Sequence, residues 1–282
     1  MHLSTGDIKI KGIGVGSSHP VRIMGVVNLS PESFYKGSVT SDSSSIKTYV
    51  EELIQAGADI LDVGGVSSAP KSVYSTADIG IDKEIERIRT ALKAIIDITD
   101  IPISIDTTSS KVAKVAWDYG IDIINDISGF KADKELATVV ADCDIPVILM
   151  ANCTTPCNSV TDSIKALRDS LAISKEQGVT TENIILDPGI GFGKPPSVDF
   201  AILHELKQFK LLGRPLLVGV SRKAFIGECL DEPHPSDRLT GSIAATSIAV
   251  VNGADIIRAH DVEEARAAAK IGEAVRCSTQ DL

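Results

Sequence analysis

Between residues 21 and 275 the chain repeats one unit: a short apolar run that stops at a polar residue or glycine, a loop, then apolar residues at helical spacing. The apolar runs cover 21–27, 59–63, 101–105, 121–124, 145–150, 184–186, 216–219 and 255–257. Such near-continuous runs suit parallel strands that are buried on both faces. The helical stretches cover 46–54, 82–98, 109–119, 134–140, 160–177, 198–210, 242–251 and 262–275, with Gly57 and Gly120 placed to close two of them. Eight such units predict an α/β fold: a single (β/α)8 TIM barrel over 1–282, with 1–20 as an N-terminal extension. An open doubly wound sheet is the alternative.

The polar residues that end the runs favour the barrel. Asn28, Asp106, Asn125, Asp187, and Arg258 with His260 all stand at carboxyl ends, where a barrel gathers its active site at one mouth. Taken singly, an Asn or Asp after a strand is a common turn former or helix cap. Six in register predict convergence. Asp187 opens the stretch Asp187-Pro-Gly189-Ile-Gly191-Phe-Gly193-Lys194, and a buried carboxylate requires a hydrogen-bonding partner or a ligand. This stretch is not a phosphate loop, because Pro188 stands six before Lys194 and Pro195 occupies the Ser/Thr position. The segments 29–44 and 66–77 are Ser-rich with proline and read as lids that order around a ligand.

Composition narrows the class. The chain is 43% hydrophobic, 23% charged and only 4% aromatic, which predicts an aliphatic core and excludes disordered and fibrous proteins. A formal net charge of -10 argues against nucleic acid or acidic membranes as partners. Five irregularly spaced cysteines imply no disulfide framework and a reducing setting; Cys153 and Cys157 read as two buried thiols, with a metal pair as the weaker alternative. No apolar run approaches the ~18 residues of a membrane helix, and the start lacks a signal pattern, so a cytoplasmic location is expected.

Two aspartates and an asparagine in one pocket form an acceptor array suited to a flat heterocycle with several N–H donors, such as a 2-amino-4-oxo-pyrimidine ring. Ser221-Arg222-Lys223 after the seventh run, with Arg258 and His260 after the eighth, forms a cationic cluster where such barrels often hold a phosphate. It fits an anionic leaving group. An exposed salt bridge remains the alternative for Arg222, Lys223 and Arg258.

These residues lie in segments that resemble the dihydropteroate synthases of the pterin-binding enzymes. The segments are Met24-Gly-Val-Val-Asn28-Leu-Ser-Pro31, Ser104-Ile-Asp106-Thr107, Ile124-Asn125-Asp126-Ile-Ser128-Gly129, Leu186-Asp187-Pro-Gly-Ile-Gly-Phe-Gly-Lys194, Val218-Gly-Val-Ser221-Arg-Lys223 and Arg258-Ala-His260-Asp261. The resemblance implies that Asp106, Asn125, Asp187 and Lys223 hold a pterin ring, that Met150 and Phe192 line its slot, and that Arg258 packs against it. It implies that Asn28, Arg258 and His260 hold a pyrophosphate with Mg2+, Asn28 being a metal ligand. Asp106, Lys223, Arg258 and His260 would serve catalysis, with Asp106 closest to a pterin cation. The implied partners are a pterin pyrophosphate and an arylamine, and the implied assembly is a homodimer.

The departures cluster on one side. Where the family has Glu-Ser-Thr-Arg-Pro-Gly after the paired glycines, this chain reads Val66-Ser67-Ser68-Ala69-Pro70-Lys71, and Lys71 is the candidate substitute for the missing arginine. Ala224 replaces the serine after Ser-Arg-Lys, and Ala151-Asn152-Cys153 replaces a His-Met segment. The ring-holding residues are retained while the leaving-group and second-substrate side is altered. A pterin-dependent methyltransferase and a non-catalytic pterin-binding protein are the alternatives.

Overall fold

The computed structural model of the chain describes residues 6–30, 42–66, 79–153 and 156–278. The segments 31–41 and 67–78, which hold most of the two expected lids together with Ala69 and Lys71, lie outside the described residues.

Eight parallel strands form the sheet: β3 (Arg22–Asn28), β4 (Ile60–Gly64), β5 (Ile103–Asp106), β6 (Ile123–Asp126), β7 (Val147–Met150), β8 (Ile184–Asp187), β9 (Leu217–Gly219) and β10 (Ile256–Ala259). Their order is β8-β7-β6-β5-β4-β3-β10-β9. A single bridge between Leu186 and Leu216, with the Leu186 N–H donating to the Pro215 carbonyl at 2.9 Å, joins the two ends. The result is the TIM barrel that the strand pattern predicts, with observed bounds displaced by one or two residues at most ends.

Ten helices cover it among the described residues: α1 (Ser43–Gln55), α2 (Ile81–Ile95), α3 (Ser110–Trp117), α4 (Lys134–Cys143), α5 (Val160–Glu176), α6 (Pro196–His204), α7 (Leu206–Lys210), α8 (Ala224–Leu230), α9 (Leu239–Val251) and α10 (Val262–Ser278). Side chains of Asp42, Ser109, Asp133 and Ser159 accept from backbone N–H groups of the first turns of α1, α3, α4 and α5, satisfying donors that a helix start leaves open. The stretch expected as one helix over 198–210 is two, divided at Glu205, and α8 was not anticipated. No described helix is long and apolar enough to cross a membrane.

The N-terminal extension contains a hairpin that the sequence reading did not anticipate. Strands β1 (Ile8–Ile10) and β2 (Ile13–Val15) pair antiparallel across Lys11 and Gly12, both at positive φ as a two-residue hairpin turn demands. Ile8, Ile10 and Val15 are buried against Met24, Ile60, Ile123, Ile148, Ile185, Leu217 and Ile256, one inward residue from nearly every barrel strand. The hairpin therefore closes the amino-terminal end of the barrel with aliphatic side chains.

Because strand side chains alternate, the next inward position on each strand lies two residues further along. From the seven residues just named those positions are Val26, Asp62, Asn125, Met150, Asp187, Gly219 and Arg258, and Ser104 on β5 is in register with Asp62. Apart from Val26, Met150 and Gly219, the barrel interior thus changes from aliphatic to polar and charged within one layer. Outside the sheet, the other face packs under the helices in an aliphatic core that includes Leu61, Val63, Ile105, Leu149, Leu186 and Val218.

Candidate active site

Arg258 is the hub of the polar layer. Its Nε donates to Asp62 Oδ2 at 2.6 Å and its Nη2 to Asp106 Oδ2 at 3.2 Å. The same Asp62 oxygen accepts from Asn125 Nδ2 at 3.1 Å. Burial acts to lower the Arg258 pKa, but the surrounding carboxylates of Asp62, Asp106 and Asp187 outweigh it and hold the guanidinium above its ordinary value. Arg258 is therefore a paired interior cation, and the exposed salt-bridge reading is set aside. Beside Asp106, the Thr107 hydroxyl donates to Glu84 Oε1 at 2.8 Å, and burial pushes the Glu84 carboxyl up against that hydrogen bond.

Asp187 ends β8 and accepts the Gly189 N–H at 2.7 Å. Burial pushes its carboxyl above the usual carboxylate range, against the pull of Lys223, the Gly189 N–H, Lys194 and Arg258. The glycine loop that follows is tied down by buried charge. Lys194 donates to the Gly189 carbonyl, and the Gly191 N–H donates to Asp199 Oδ1 at 2.8 Å. Burial lowers the Lys194 pKa and raises that of Asp199, while each charge opposes the shift in the other. Lys194 thus holds its own loop, in keeping with the rejection of a phosphate loop. Gly189 and Gly191 have φ of 73° and 77°. A Cβ on Gly189 would stand 2.8 Å from the Ala151 carbonyl oxygen, and one on Gly191 2.5 Å from Lys223 Cδ. Only glycine lets this loop lie so close to Met150, Ala151 and Lys223.

Lys223 follows β9. Its ammonium donates to the Ile190 carbonyl and sits 4.5 Å from the centroid of the Phe192 ring, a cation–π contact. Burial brings its pKa down to about 8, with Asp187 opposing. Met150 ends β7 and is buried against the Gly189 loop. Asp187, Met150, Phe192 and Lys223 therefore share one wall, and Asp106, Asn125 and Arg258 share the other.

The remaining expected residues lie at the rim. Asn28 ends β3 in register with Gly64, which is itself in register with Asp106. His260 follows β10; its Nδ1 is 3.0 Å from Ser221 Oγ, and its own N–H donates to that oxygen at 3.2 Å. Burial, then Arg258, Arg222 and Lys223, push its pKa down to about 3. At neutral pH His260 is an uncharged hydrogen-bonding group. Arg222 is buried, pairs in two-pronged fashion with Asp261 at 2.8 and 2.7 Å, and donates to the carbonyls of Pro235 and Ser236. It ties together the loops after β9 and β10. The cationic cluster expected here thus reduces to Lys223 and Arg258.

Cys153 and Cys157, expected as two buried thiols, form a disulfide. Their Cα atoms stand 5.5 Å apart, within bridging distance. A cavity of about 340 Å³ lies between this loop and α5, lined by Lys131, Asn152, Cys153, Asp162, Lys165 and Asp169. It contains none of the strand-end residues. The strand-end residues converge on the polar layer instead.

Sequence reading overlooked Asp62, the residue on which Asn125 and Arg258 both converge. The argument that singled out Asp187, an acid within an apolar run, applies equally to Ile60-Leu-Asp62-Val-Gly64.

Comparison with known proteins agrees with this arrangement. The model of a family described as "Pterin binding enzyme" matches residues 24–260. The chain is 42% identical over 256 residues to the dihydropteroate synthase of Clostridium beijerinckii, covering 90% of this chain and 93% of that one. It is 34% identical over 273 residues to that of Escherichia coli K12, covering 94% of each. A dihydropteroate synthase of Coxiella burnetii, solved in complex with pteroic acid, superposes with a TM-score of 0.86 at 33% identity, over 96% of this chain and 99% of that one. The Xanthomonas albilineans enzyme with 4-aminobenzoic acid gives 0.86 at 29% identity, over 97% and 99%. The match extends from the first barrel strand to the last, through every residue of the polar layer, and the chain belongs to the pterin-binding enzyme family.

Proposed function

We propose that the chain is a dihydropteroate synthase: a transferase that joins an arylamine to 6-hydroxymethyl-7,8-dihydropterin pyrophosphate and releases pyrophosphate, in folate biosynthesis. The observation that carries this reading is the convergence of the acceptors Asp106, Asn125 and Asp187 with the donors Lys223 and Arg258 around one slot. Relatives solved with pteroic acid and with 4-aminobenzoic acid support a pterin and an arylamine as ligands here. The kinship to synthases favours this reading over methyl transfer and over binding alone.

In the reaction, the bond between the exocyclic methylene carbon and the pyrophosphate oxygen breaks, and its electron pair leaves with the pyrophosphate. The pterin cation that remains is met by carboxylates, Asp106 closest, at a site held in shape before the charge develops. The amine nitrogen then forms the new carbon–nitrogen bond and loses a proton. Phe192 and Met150 hold the ring flat, Lys223 and Asp187 fix its edges, and Arg258 bears on its face. His260, neutral at pH 7, contributes hydrogen bonds rather than charge to the leaving group.

The described residues contain no group of three His, Cys, Asp or Glu side chains placed to hold a metal. What they offer is the amide oxygen of Asn28 at the rim, which fits Mg2+ only as one ligand to an ion that arrives on the pyrophosphate. Such an ion would neutralise charge on the departing group. A cytoplasmic location and a homodimer complete the reading. Ile248, Ile271 and Val275, exposed on α9 and α10, support the dimer, and sedimentation at micromolar concentration checks it.

The test of function is pyrophosphate release from the pterin pyrophosphate, Mg2+ and a panel of arylamines. Release is expected with p-aminobenzoate. Because Ala224 stands at the start of α8 where the family has a serine, amines lacking the carboxylate should compete better than they do with the relatives. Absence of release with every amine, while the pterin pyrophosphate still binds, would reduce the protein to a binder.

A further inference from the structure

Asp62 has no counterpart among the groups assigned above to ring or pyrophosphate, yet it occupies the centre of the polar layer. It is fully buried on β4. Both the Arg258 Nε and the Asn125 amide donate to one of its oxygens, Oδ2. Its other oxygen, Oδ1, accepts no hydrogen bond among the described residues, and the hydroxyl of Ser104, its partner in register on β5, is likewise without one. A buried carboxylate left half satisfied is costly to the fold, so stability alone does not account for an acid at this position.

The chemistry of the contacts shows what the acid does. A carboxylate only accepts, so Asn125 must turn its NH2 group toward Asp62 and its carbonyl oxygen the opposite way. Without that constraint an asparagine amide can present either end. The guanidinium of Arg258 is fixed in the same manner, with Nε on Asp62 and Nη2 on Asp106. We infer that Asp62 is a positioning residue for ring recognition: it sets the Asn125 amide so that an acceptor meets the N–H edge of the ring. This inference rests on the ring-binding reading above and deepens it.

The decisive experiment is a double-mutant cycle on the full chain, with calorimetric binding of 6-hydroxymethyl-7,8-dihydropterin pyrophosphate as the readout. Asp62→Asn keeps the volume but offers an amide that no longer dictates which way Asn125 turns. Alone, it should weaken binding about 30-fold, the scale of a charged hydrogen bond. In an Asn125→Ala background the same change should cost no more than about threefold, because two residues acting through one contact are not additive. A merely structural role would give the same factor in both backgrounds, and that result, or an effect within about twofold in the single variant, would overturn the inference. Should Asp62→Asn fail to fold, Asp62→Glu is measured in the same way. Failure of both to fold would place Asp62 in barrel stability and overturn the positioning role. Lack of binding by the unmutated chain would overturn the functional reading as well, whereas binding with additive variants would overturn the positioning role alone.

Discussion

The two ends of the barrel are built from the same strands by opposite rules. At the amino-terminal end, one inward residue from nearly every strand is aliphatic, and the β1–β2 hairpin fills the remaining space with Ile8, Ile10 and Val15. One layer up, the inward residues include Asp62, Asn125, Asp187 and Arg258, and burial shifts the pKa of Asp187 and Lys223 from their ordinary values. The aliphatic end needs no partner beyond its neighbours. The polar end pairs buried carboxylates with Arg258 and Asn125, and leaves Asp62 Oδ1 and the Ser104 hydroxyl without a hydrogen bond among the described residues. The aliphatic and the polar layers are thus separated along the barrel axis by two residues per strand, which is the shortest step a strand permits.

That separation can be broken from either side. The largest effect is expected for Asp187→Ala, which removes a buried carboxyl from the proposed ring slot: binding of the pterin pyrophosphate should fall at least about 100-fold by calorimetry. The fold should persist. If the variant binds normally, Asp187 is not part of the ring site. Next, Ile10→Ala at the closed end should cost about 2 to 4 kcal/mol in denaturant unfolding, the range for a large-to-small change in a packed core, while ring affinity stays within about twofold. A loss of affinity in that variant would show that the hairpin reaches the site, and the two ends would no longer be independent.

The smallest effect concerns pH. The Lys223 pKa lies at about 8, below the ordinary lysine value of 10.5, so its ammonium is present below about 8 and lost above it. Ring affinity that depends on this donor should therefore weaken as pH rises through about 8, by about tenfold for each further unit. In Lys223→Gln the slope should vanish. For stability the sign is reversed: the unfolded chain holds this proton up to about 10.5, so the Lys223 contribution rises between about 8 and 10.5. A shared slope for affinity and stability would mean that the titration belongs to another group.

What could be read from sequence followed the periodicity. Runs that end on Asn28, Asp106, Asn125 and Asp187 placed the mouth correctly because a parallel strand shows its carboxyl end in its last residue. Asp62 is not legible in the same way because it lies inside its run, two residues before the paired glycines, rather than at the run's end. The hairpin is not legible because its strands are three residues each, too short for alternation to stand out, and its Lys11-Gly12 turn lacks the Asn-Gly or Asp-Gly signature. The fate of Cys153 and Cys157 depends on the distance between their Cα atoms in the folded chain, which spacing alone does not give. The neutrality of His260 depends on burial together with three neighbouring cations, Arg258 on β10 and Arg222 and Lys223 from the loop after β9, and so appears only in the folded chain.

The seam between β8 and β9 has a consequence for how the protein closes. Strand pairing there amounts to the single bridge from Leu186 to Leu216, and above it the ammonium of Lys223 reaches across to the Ile190 carbonyl. Asp187 stands on one bank of the seam and Lys223 on the other. A flat ring that touches both would act as a further rung in the ladder, so that the substrate itself completes the circumference of the barrel. Arrival of the pterin and closure of the eighth interface would then be one event, and amide exchange along β8 and β9 would slow together when the ring is bound.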